Sequence, residues 1–310
     1  MRLAGLHHVR FRVVHLEQAE RFAADFGLLV ARRRPESLCM RTSGGDAFCY
    51  EARTGTANAF EGLAFAADNE DELSRAVAEQ GASPIRELET PGGGRAVTLR
   101  DPDGFQVDLV TGIGRVEAAP HGTELEHNSP GARVRFGRSQ TSRALGPAHL
   151  YRLGHVGLFV TDFRRSAEWY RRVLGLIPSD VYHVPGNPQA QIVGFLRLDR
   201  GSEWVDHHVL ALMQAPKADC HHISFEVQDF EAQFTAHRFL AGRGHEPIWG
   251  VGRHPHGSHV FDVWRAPDRY RFETFSDTDL LNAESPTRLH DIRNVQMDAW
   301  SSDPPDRYFG

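Results

Sequence analysis

The clearest pattern along the chain is a strict alternation of apolar and polar positions in short segments that precede helix-like stretches. In GHVGLFV, residues 154–160, every second residue is apolar, and His155 lies on the opposite face of the predicted strand. In HHISFEV, residues 221–227, the same alternation places His222 opposite the Ile, Phe and Val side chains. Asp-Phe and an amphipathic stretch follow each segment. Each segment therefore predicts a strand followed by a helix.

These two strand–helix segments are copies of one unit. With His155 aligned to His222, LGHVGLFVTDFRRSAEWYRRVLG and CHHISFEVQDFEAQFTAHRFLAG share a valine, the aspartate and the phenylalanine at matched positions without a gap. Strand-like runs follow each copy: QIVGFLRL and HHVLALMQ after the first, HVFDVW and RYRFETF after the second. The pattern indicates a βαβββ unit that is used twice.

The N-terminal part contains two fainter copies, GLHHVRFRVVHLEQAERFAADFGL and FEGLAFAADNEDELSRAVAEQGA. His8 takes the place of His155 in the first copy. Gly62 takes the place of His222 in the second, whose closing run AVTLRDPDGFQVDLV contains Asp108. We therefore predict an α+β fold of four βαβββ units paired into two modules, each a curved mixed sheet with helices on its outer face.

Composition shifts divide the chain into four parts. A degenerate module is predicted at residues 1–114 and a second module, which contains His155 and His222, at 149–276. Between them, residues 115–148 are rich in Gly, Pro, Ser and Arg and have no hydrophobic period, which indicates a linker or excursion. Residues 277–310 are predicted to form a polar tail.

Charge and hydropathy exclude several classes of partner. The net charge of the 310 residues is −6, and no block of Lys or Arg stands out, which argues against nucleic acid or an anionic membrane as the partner. No apolar run is long enough to span a membrane, and the N-terminus lacks signal-peptide features. The three cysteines, Cys39, Cys49 and Cys220, are too few for a disulfide framework or a thiolate zinc site. A cytoplasmic protein is expected.

Histidine is unusually frequent, with 18 in the chain and 13 of these between His149 and His290. The alternation directs His155 and His222 away from the helices, and Glu273 in YRFETF alternates away from its neighbouring phenylalanine. Two neutral imidazoles and one carboxylate from three strands form a facial triad with open coordination positions. Such a triad suits non-haem Fe(II) or a similar divalent ion, while zinc is less expected.

The series LGHVGLFV, CHHISFEV and RYRFETF resembles the vicinal oxygen chelate superfamily, and most of all its type I extradiol ring-cleavage dioxygenases. The resemblance covers nearly the whole chain. It implies that His155, His222 and Glu273 hold Fe(II), with Mn(II) as the alternative. It also implies that the N-terminal module, which has Gly62 and Asp108 at the matching positions, binds no metal.

The resemblance adds two catalytic histidines. The family pattern His-His-x-x-Ala-Leu in DHHVLAL favours His208 over His207 as the residue that manages oxygen and its protons, although the spacing to the second ligand is one residue short. In GRHPHGSH, the interval of 19 residues to Glu273 favours His254 as the histidine beside the diol oxygens, over His256 and His259.

One position departs from the family pattern. Val263 stands nine residues after His254, where relatives carry a tyrosine, and the Asp-Pro-x-Gly turn after it is lost, although Asp101–Gly104 keeps that turn in the N-terminal module. His259 and Tyr270 are candidates to replace the missing phenol. Further candidates for contact with the substrate ring are apolar: Trp204, Trp249, Phe261 and Trp264.

The reaction implied by the resemblance is extradiol cleavage of a catechol-type diol by O2, giving a ring-opened semialdehyde or keto acid. A homo-oligomer is also implied. Two alternatives keep the fold: a metal-dependent Lewis-acid isomerase or transferase, and a non-catalytic protein that sequesters a ligand. The complete triad in one module favours the dioxygenase, but fold alone does not decide. The identity of the catechol is left open.

Overall fold

The computed structural model describes residues 1–120, 125–139, 144–301 and 305–308. Parts of the predicted linker, 121–124 and 140–143, and of the predicted tail, 302–304 and 309–310, lie outside the described residues. The described elements follow the predicted order: a βαβββ unit occurs four times, and the predicted α+β fold of two paired modules with two large mixed sheets is confirmed.

The first sheet contains eight strands, in the order β2-β3-β4-β1-β5-β8-β7-β6. The strands are β1 (Leu3–Val13), β2 (Leu29–Arg34), β3 (Ser37–Arg41), β4 (Tyr50–Thr54), β5 (Ala59–Ala67), β6 (Arg86–Glu87), β7 (Arg95–Arg100) and β8 (Gln106–Thr111). The first strands of its two units, β1 and β5, pair antiparallel at the centre.

The second sheet repeats this plan with nine strands, in the order β15-β16-β17-β14-β9-β13-β11-β10-β19. The strands are β9 (Leu153–Val160), β10 (Ile177–His183), β11 (Gln191–Arg197), β13 (Leu210–Gln214), β14 (Asp219–Glu226), β15 (Glu246–Arg253), β16 (Val260–Arg265), β17 (Arg271–Ser276) and β19 (Arg288–Asp291). Two short strands, β12 (Val205–Asp206) and β18 (Leu280–Leu281), pair with each other.

The helices follow the first strand of each unit. They are α1 (Leu16–Phe26), α2 (Glu70–Gln80), α3 (Phe163–Trp169) and α4 (Phe230–Gly242). The Asp-Phe signals act as N-caps, because the side chains of Asp162 and Asp229 accept hydrogen bonds from backbone N–H groups three residues later. Helix α3 continues as a π-helical turn, Tyr170–Leu174.

The apolar faces of the two sheets share one continuous core with the helices. Phe22 and Phe26 on α1 of the first module contact Phe272 on β17 of the second, with ring centroids 5.2 and 5.4 Å apart. Phe163 on α3 lies against Gly194 on β11. The next residue, Phe195, points to the opposite side of the sheet, where its side chain lines a cavity. The helices thus cover one side of the sheet, and the cavity lies on the other.

The predicted tail is partly built into the second sheet. Strand β19 pairs in parallel with the edge strand β10, and a 3₁₀ turn, Asp306–Tyr308, buries the Tyr308 side chain. The alternation of apolar and polar residues in the tail does not predict β19, because this strand is only four residues long. In the described parts of the chain, no helix combines the length and apolar character that a membrane span requires.

Candidate metal centre

The predicted triad comes together on three neighbouring strands. His155 lies on β9, His222 on β14 and Glu273 on β17, and β14 lies between the other two. The Cα of Ser224 pairs with those of both His155 and Glu273, so these three residues form one row across the sheet. One ligand atom from each of the three predicted residues lies within 4.8 Å of the others, and all three side chains are buried.

A β-bulge explains the adjacent histidines of β14. Cys220 pairs with Leu158 and His222 pairs with Gly157, so His221 is an extra residue on its strand. A bulge changes the direction of the side chains beside it, and here the two imidazoles touch, with Nδ1 to Nδ1 at 2.7 Å. Gly157 provides the space, because a Cβ at this position would lie 2.4 Å from the His222 ring.

Hydrogen bonds select the nitrogen that His222 presents. Nε2 of His221 lies 3.0 Å from the backbone carbonyl of Tyr308, to which it donates. Neutral His221 therefore accepts at Nδ1 from the Nδ1–H of His222, which leaves the Nε2 lone pair of His222 for a ligand. A residue near the C-terminus thus orients a candidate metal ligand through one intermediate histidine.

The protonation states suit a divalent cation. Burial lowers the pKa of His222 to about 3, although the Glu273 charge opposes this effect. Burial raises the pKa of Glu273, but the neighbouring His222 and His155 outweigh it and hold that pKa well below its usual range. At neutral pH the site therefore offers neutral imidazole and an ionised carboxylate, the donor set of Fe(II) and Mn(II) sites.

One atom of the triad lacks a partner. Nε2 of His155 is buried and makes no hydrogen bond to any described residue, although Oε1 of Glu273 lies 3.1 Å away. Leaving a buried polar atom unsatisfied is costly, so an orphan of this kind needs a partner. The hydroxyl of Ser224 donates to the same Glu273 oxygen at 2.7 Å and fixes the carboxylate. The residues therefore fit a divalent ion at the point where their ligand atoms converge.

Of the histidines in DHHVLAL, His208 lines the cavity beside the triad, and His207 lies behind it. The ring centroids of His208 and His155 are 4.2 Å apart. Nδ1 of His208 contacts Nδ1 of His207 at 3.1 Å, and Nε2 of His207 donates to Oδ2 of Asp180 at 2.6 Å. The other Asp180 oxygen accepts from the half-buried His290 at 2.6 Å. These four side chains form a hydrogen-bonded row that leads away from the cavity.

All three histidines of GRHPHGSH line the cavity. Nδ1 of His254 donates to the Met297 carbonyl at 2.6 Å, so Nε2 carries its lone pair. Nδ1 of buried His259 has no hydrogen-bond partner in the described part of the chain. His256 accepts from or donates to the Tyr182 hydroxyl at 2.8 Å and stacks on His290. The structure thus brings His254 and His259 to the triad, while His256 lies towards β10.

The cavity has a volume of about 280 Å³, and Glu273 and the candidate histidines occupy one end of it. Most of its remaining lining is apolar and comes from β9, β10, β11, β13 and the C-terminal segment. These lining residues are Phe159, Tyr182, Ile192, Val193, Phe195, Ala211, Met213, Pro255, Ile292, Val295, Met297 and Tyr308.

Several predicted ring-contact residues do not line the cavity. The Trp204 side chain is 65% exposed, because it lies in the loop directly before β12. Tyr270 packs on Phe11 between the two modules, where the chain turns before β17, and its hydroxyl donates to Asp219. Trp264 points into the shared core because it alternates with Val263 on β16.

Val263 and Phe261 face the side of the sheet that carries the triad, but other side chains cover them. The Cα of Val263 pairs with that of Glu273. Together with Ile248 and Trp249, these two residues form a small buried cluster on which the Tyr308 ring packs. Tyr308, rather than Val263, therefore reaches the cavity wall.

The sequence pattern missed the wall that the C-terminal segment provides. Ile292, Val295, Met297 and Tyr308 line the cavity but lie in a region without helical or strand periodicity. No local signal identifies them, since they reach the site through β19 and irregular backbone. Phe159 was detectable, because it shares the face of His155 on β9.

Comparison with known proteins gives a consistent result. The model of the Glyoxalase/Bleomycin resistance protein/Dioxygenase superfamily matches residues 152–274. Metapyrocatechase 2 of Cupriavidus necator is 31% identical over 268 residues, which cover 84% of this chain and 78% of the relative.

Two solved structures share the fold along almost the whole chain. One is the Mn(II)-bound glyoxalase of Novosphingobium aromaticivorans, with a TM-score of 0.79, 20% identity and coverage of 99% of this chain and 94% of the other. The other is homoprotocatechuate 2,3-dioxygenase of Brevibacterium fuscum in complex with 3,4-dihydroxyphenylacetate, with a TM-score of 0.79, 17% identity and coverage of 99% and 92%.

Proposed function

Because this chain belongs to the extradiol ring-cleaving dioxygenases of the Glyoxalase/Bleomycin resistance protein/Dioxygenase superfamily, we propose that it cleaves a catechol-type diol with O2 beside the two hydroxyls. The product would be a ring-opened semialdehyde or keto acid. The observation that carries the proposal is the convergence of His155, His222 and Glu273 at one end of a largely apolar cavity.

We propose Fe(II) as the resident ion, held by Nε2 of His222, the orphaned Nε2 of His155 and the Glu273 carboxylate. Mn(II) prefers a similar donor set and is the alternative. When bound, such an ion lowers the pKa of the diol hydroxyls and supplies the electron transfer that O2 requires.

His254 is proposed to bind the diol. Its Nδ1–H is committed to the Met297 carbonyl, so Nε2 is an acceptor beside the triad. Burial lowers the pKa of His254, although the Glu273 charge opposes this effect, and the imidazole is therefore neutral before substrate binds. A neutral acceptor at this position is suited to take a hydrogen bond, and then a proton, from one diol hydroxyl.

His208 is proposed to handle a proton beside His155, whose ring centroid lies 4.2 Å from its own. Ionised Asp180 holds Nε2–H of His207, whose Nδ1 accepts from Nδ1–H of His208, and this leaves Nε2 of His208 as an acceptor. Burial and the neighbouring histidines keep the pKa of His208 well below its ordinary value. The residue is thus neutral and able to receive a proton during the reaction.

The test is anaerobic loading with Fe(II), followed by oxygen uptake on a panel of catechols. We expect one O2 consumed per diol and a yellow product that absorbs in the near-visible range. His222→Ala, loaded in the same way, should show neither bound iron nor oxygen uptake. If the iron-loaded protein consumes no oxygen with any diol, the proposal is wrong, and conversion of a substrate without oxygen would favour a Lewis-acid enzyme.

A further inference from the structure

The part of the cavity beyond the triad determines which ring substituents a bound diol can have. Resting on the proposed function, we infer that the substrate is a catechol with a small, uncharged, apolar substituent, and that the cavity rejects catechols bearing a carboxylate. The inference rests on three features of the lining: an apolar row along the strands, neutral polar groups bonded within the protein, and cations that are held elsewhere.

The apolar row crosses three neighbouring strands. Phe159 on β9 pairs with Met213 on β13, and Met213 pairs with Val193 on β11. Phe159 is four residues beyond His155 on the same face, which corresponds to about 13 Å along a strand. The side chains of Phe159, Met213 and Val193 all line the cavity. This row therefore presents hydrocarbon and a thioether to the cavity.

The C-terminal segment supplies the facing wall. Ile292, Val295 and Met297 line the cavity, and the backbone carbonyl of Met297 is occupied by His254. A diol placed with its hydroxyls at the triad would direct a substituent between this wall and the apolar row. The volume of about 280 Å³ lies near the lower end of ordinary ligand cavities, about 300 Å³, so the substituent is small.

The polar side chains of the lining have partners within the protein. Oε1 of Gln214 accepts from the backbone N–H of Phe163 at 3.2 Å, and Nε2 of Gln296 donates to the Asp298 carbonyl at 2.8 Å. The Tyr182 hydroxyl is bonded to His256 at 2.8 Å. These partners are neutral amides, a phenol and an imidazole, so a carboxylate on the substrate would meet no preformed cation here.

No Arg or Lys lines the cavity among the described residues. Arg271, whose Cα pairs with that of His222, donates to the His221 carbonyl, and Arg288 binds Asp180. His256 is the remaining cationic candidate, but burial lowers its pKa, so it brings no fixed positive charge. A substrate carboxylate against the apolar row would thus give up part of its hydration without gaining a counterion, which disfavours binding.

The test compares substrates that differ by one group of similar size. On the Fe(II)-loaded protein, we would measure kcat/KM for catechol, for 3- and 4-methylcatechol and for 2,3- and 3,4-dihydroxybenzoate. Anaerobic optical titration of the same diols gives binding without turnover. We expect kcat/KM for the better methylcatechol to be at least about 100-fold higher than for either dihydroxybenzoate, because a buried unpaired charge is costly. The affinities should rank the diols in the same way.

A charge added to the wall sharpens the test. In Met213→Lys, the ammonium would lie in the apolar row, and we expect the ratio of methylcatechol to dihydroxybenzoate to fall at least about tenfold. Met213→Leu, which keeps the row apolar, should keep the original ratio. Folding of both variants is checked by thermal unfolding, and Val193→Lys against Val193→Leu provides a second pair if Met213→Lys does not fold.

The outcomes separate this inference from the proposed function. If catechol is cleaved and the dihydroxybenzoates bind and react as well as the methylcatechols, the inference is overturned while diol cleavage stands. An unchanged ratio in a folded Lys variant also counts against it. If no diol binds the iron-loaded protein or consumes oxygen, both ideas fail.

Discussion

The two modules place different residues at the same pair of positions in their central strands. In the first module, Arg10 on β1 pairs with Gly62 on β5; in the second, Gly157 on β9 pairs with His222 on β14. Each pair has one large side chain and one glycine, on opposite strands. A Cβ on Gly62 would lie 2.0 Å from the Gln106 carbonyl oxygen, and one on Gly157 would meet the His222 ring. Gly62 thus makes room for the Gln106 backbone, and Gly157 makes room for the His222 ring.

The carboxylates at the matching positions differ in the same way. Asp108 in the first module is fully buried and binds Arg10 at 2.8 Å, Arg86 at 2.9 Å and the Thr98 hydroxyl at 2.6 Å. Glu273 in the second module receives a hydrogen bond from Ser224, and none of the described arginines forms a salt bridge with it. The first module neutralises its carboxylate internally, whereas the second leaves the charge for an ion. A few inward-facing residues therefore distinguish the salt-bridged carboxylate of the first module from the proposed metal site of the second.

The largest effect is expected from Glu273→Gln. The amide keeps the shape but removes the charge that attracts the ion, so we expect bound iron to be lost and kcat/KM on catechols to fall by roughly 1,000-fold or more. Metal analysis and oxygen uptake measure the two effects. The matched variant Asp108→Asn should keep full iron content. Normal iron binding by Glu273→Gln would remove this carboxylate from the site.

Asp108→Asn should instead affect stability. Arg10 would remain buried without its charge partner, and breaking a buried pair costs about 3–5 kcal/mol. The free energy of unfolding in urea measures this loss. The double variant Arg10→Met/Asp108→Leu should recover most of the stability, because apolar residues can replace a buried ion pair. A wild-type value for the single variant would mean that this salt bridge does not stabilise the first module.

Gly157→Ala tests the space that the second module gives to His222. The new Cβ would lie 2.4 Å from the imidazole, which has to shift, and we expect the affinity for the ion to fall by about 10–100-fold. The counterpart Gly62→Ala clashes with the Gln106 backbone and should lower stability without changing metal affinity. Equal metal affinities for Gly157→Ala and the wild type would contradict the packing argument.

The smallest effect concerns pH. The hydrogen bond to Asp262 raises the pKa of His237 on α4, whereas the matching residue of α2, eight positions after its N-cap, is Val77. Because the folded pKa lies above the unfolded value, the pair stabilises fully below about pH 6.5, and this contribution is lost as the pH rises through the folded pKa. The stability difference between wild type and His237→Gln, under about 1 kcal/mol, should be larger at about pH 6 than at about pH 9.

The sequence by itself determined the repeated unit, because strand alternation and N-cap signals are local properties of neighbouring residues. The same alternation predicted which face carries His155, His222 and Glu273. The aligned copies showed that Gly62 and Asp108 stand where the second module has His222 and Glu273. These predictions needed only the period of a strand and the assumption that apolar faces pack on helices.

Only the tertiary structure decided which side chains close the cavity. The C-terminal residues that line it, and the carbonyl of Tyr308 that orients His221, lie far from the triad in sequence and have no repeating pattern. Trp204 and Tyr270 had suitable side chains but lie outside the cavity. The physical reason is that periodicity reports the direction of a side chain from its own strand, whereas contacts between distant segments depend on strand register and on how irregular backbone folds back.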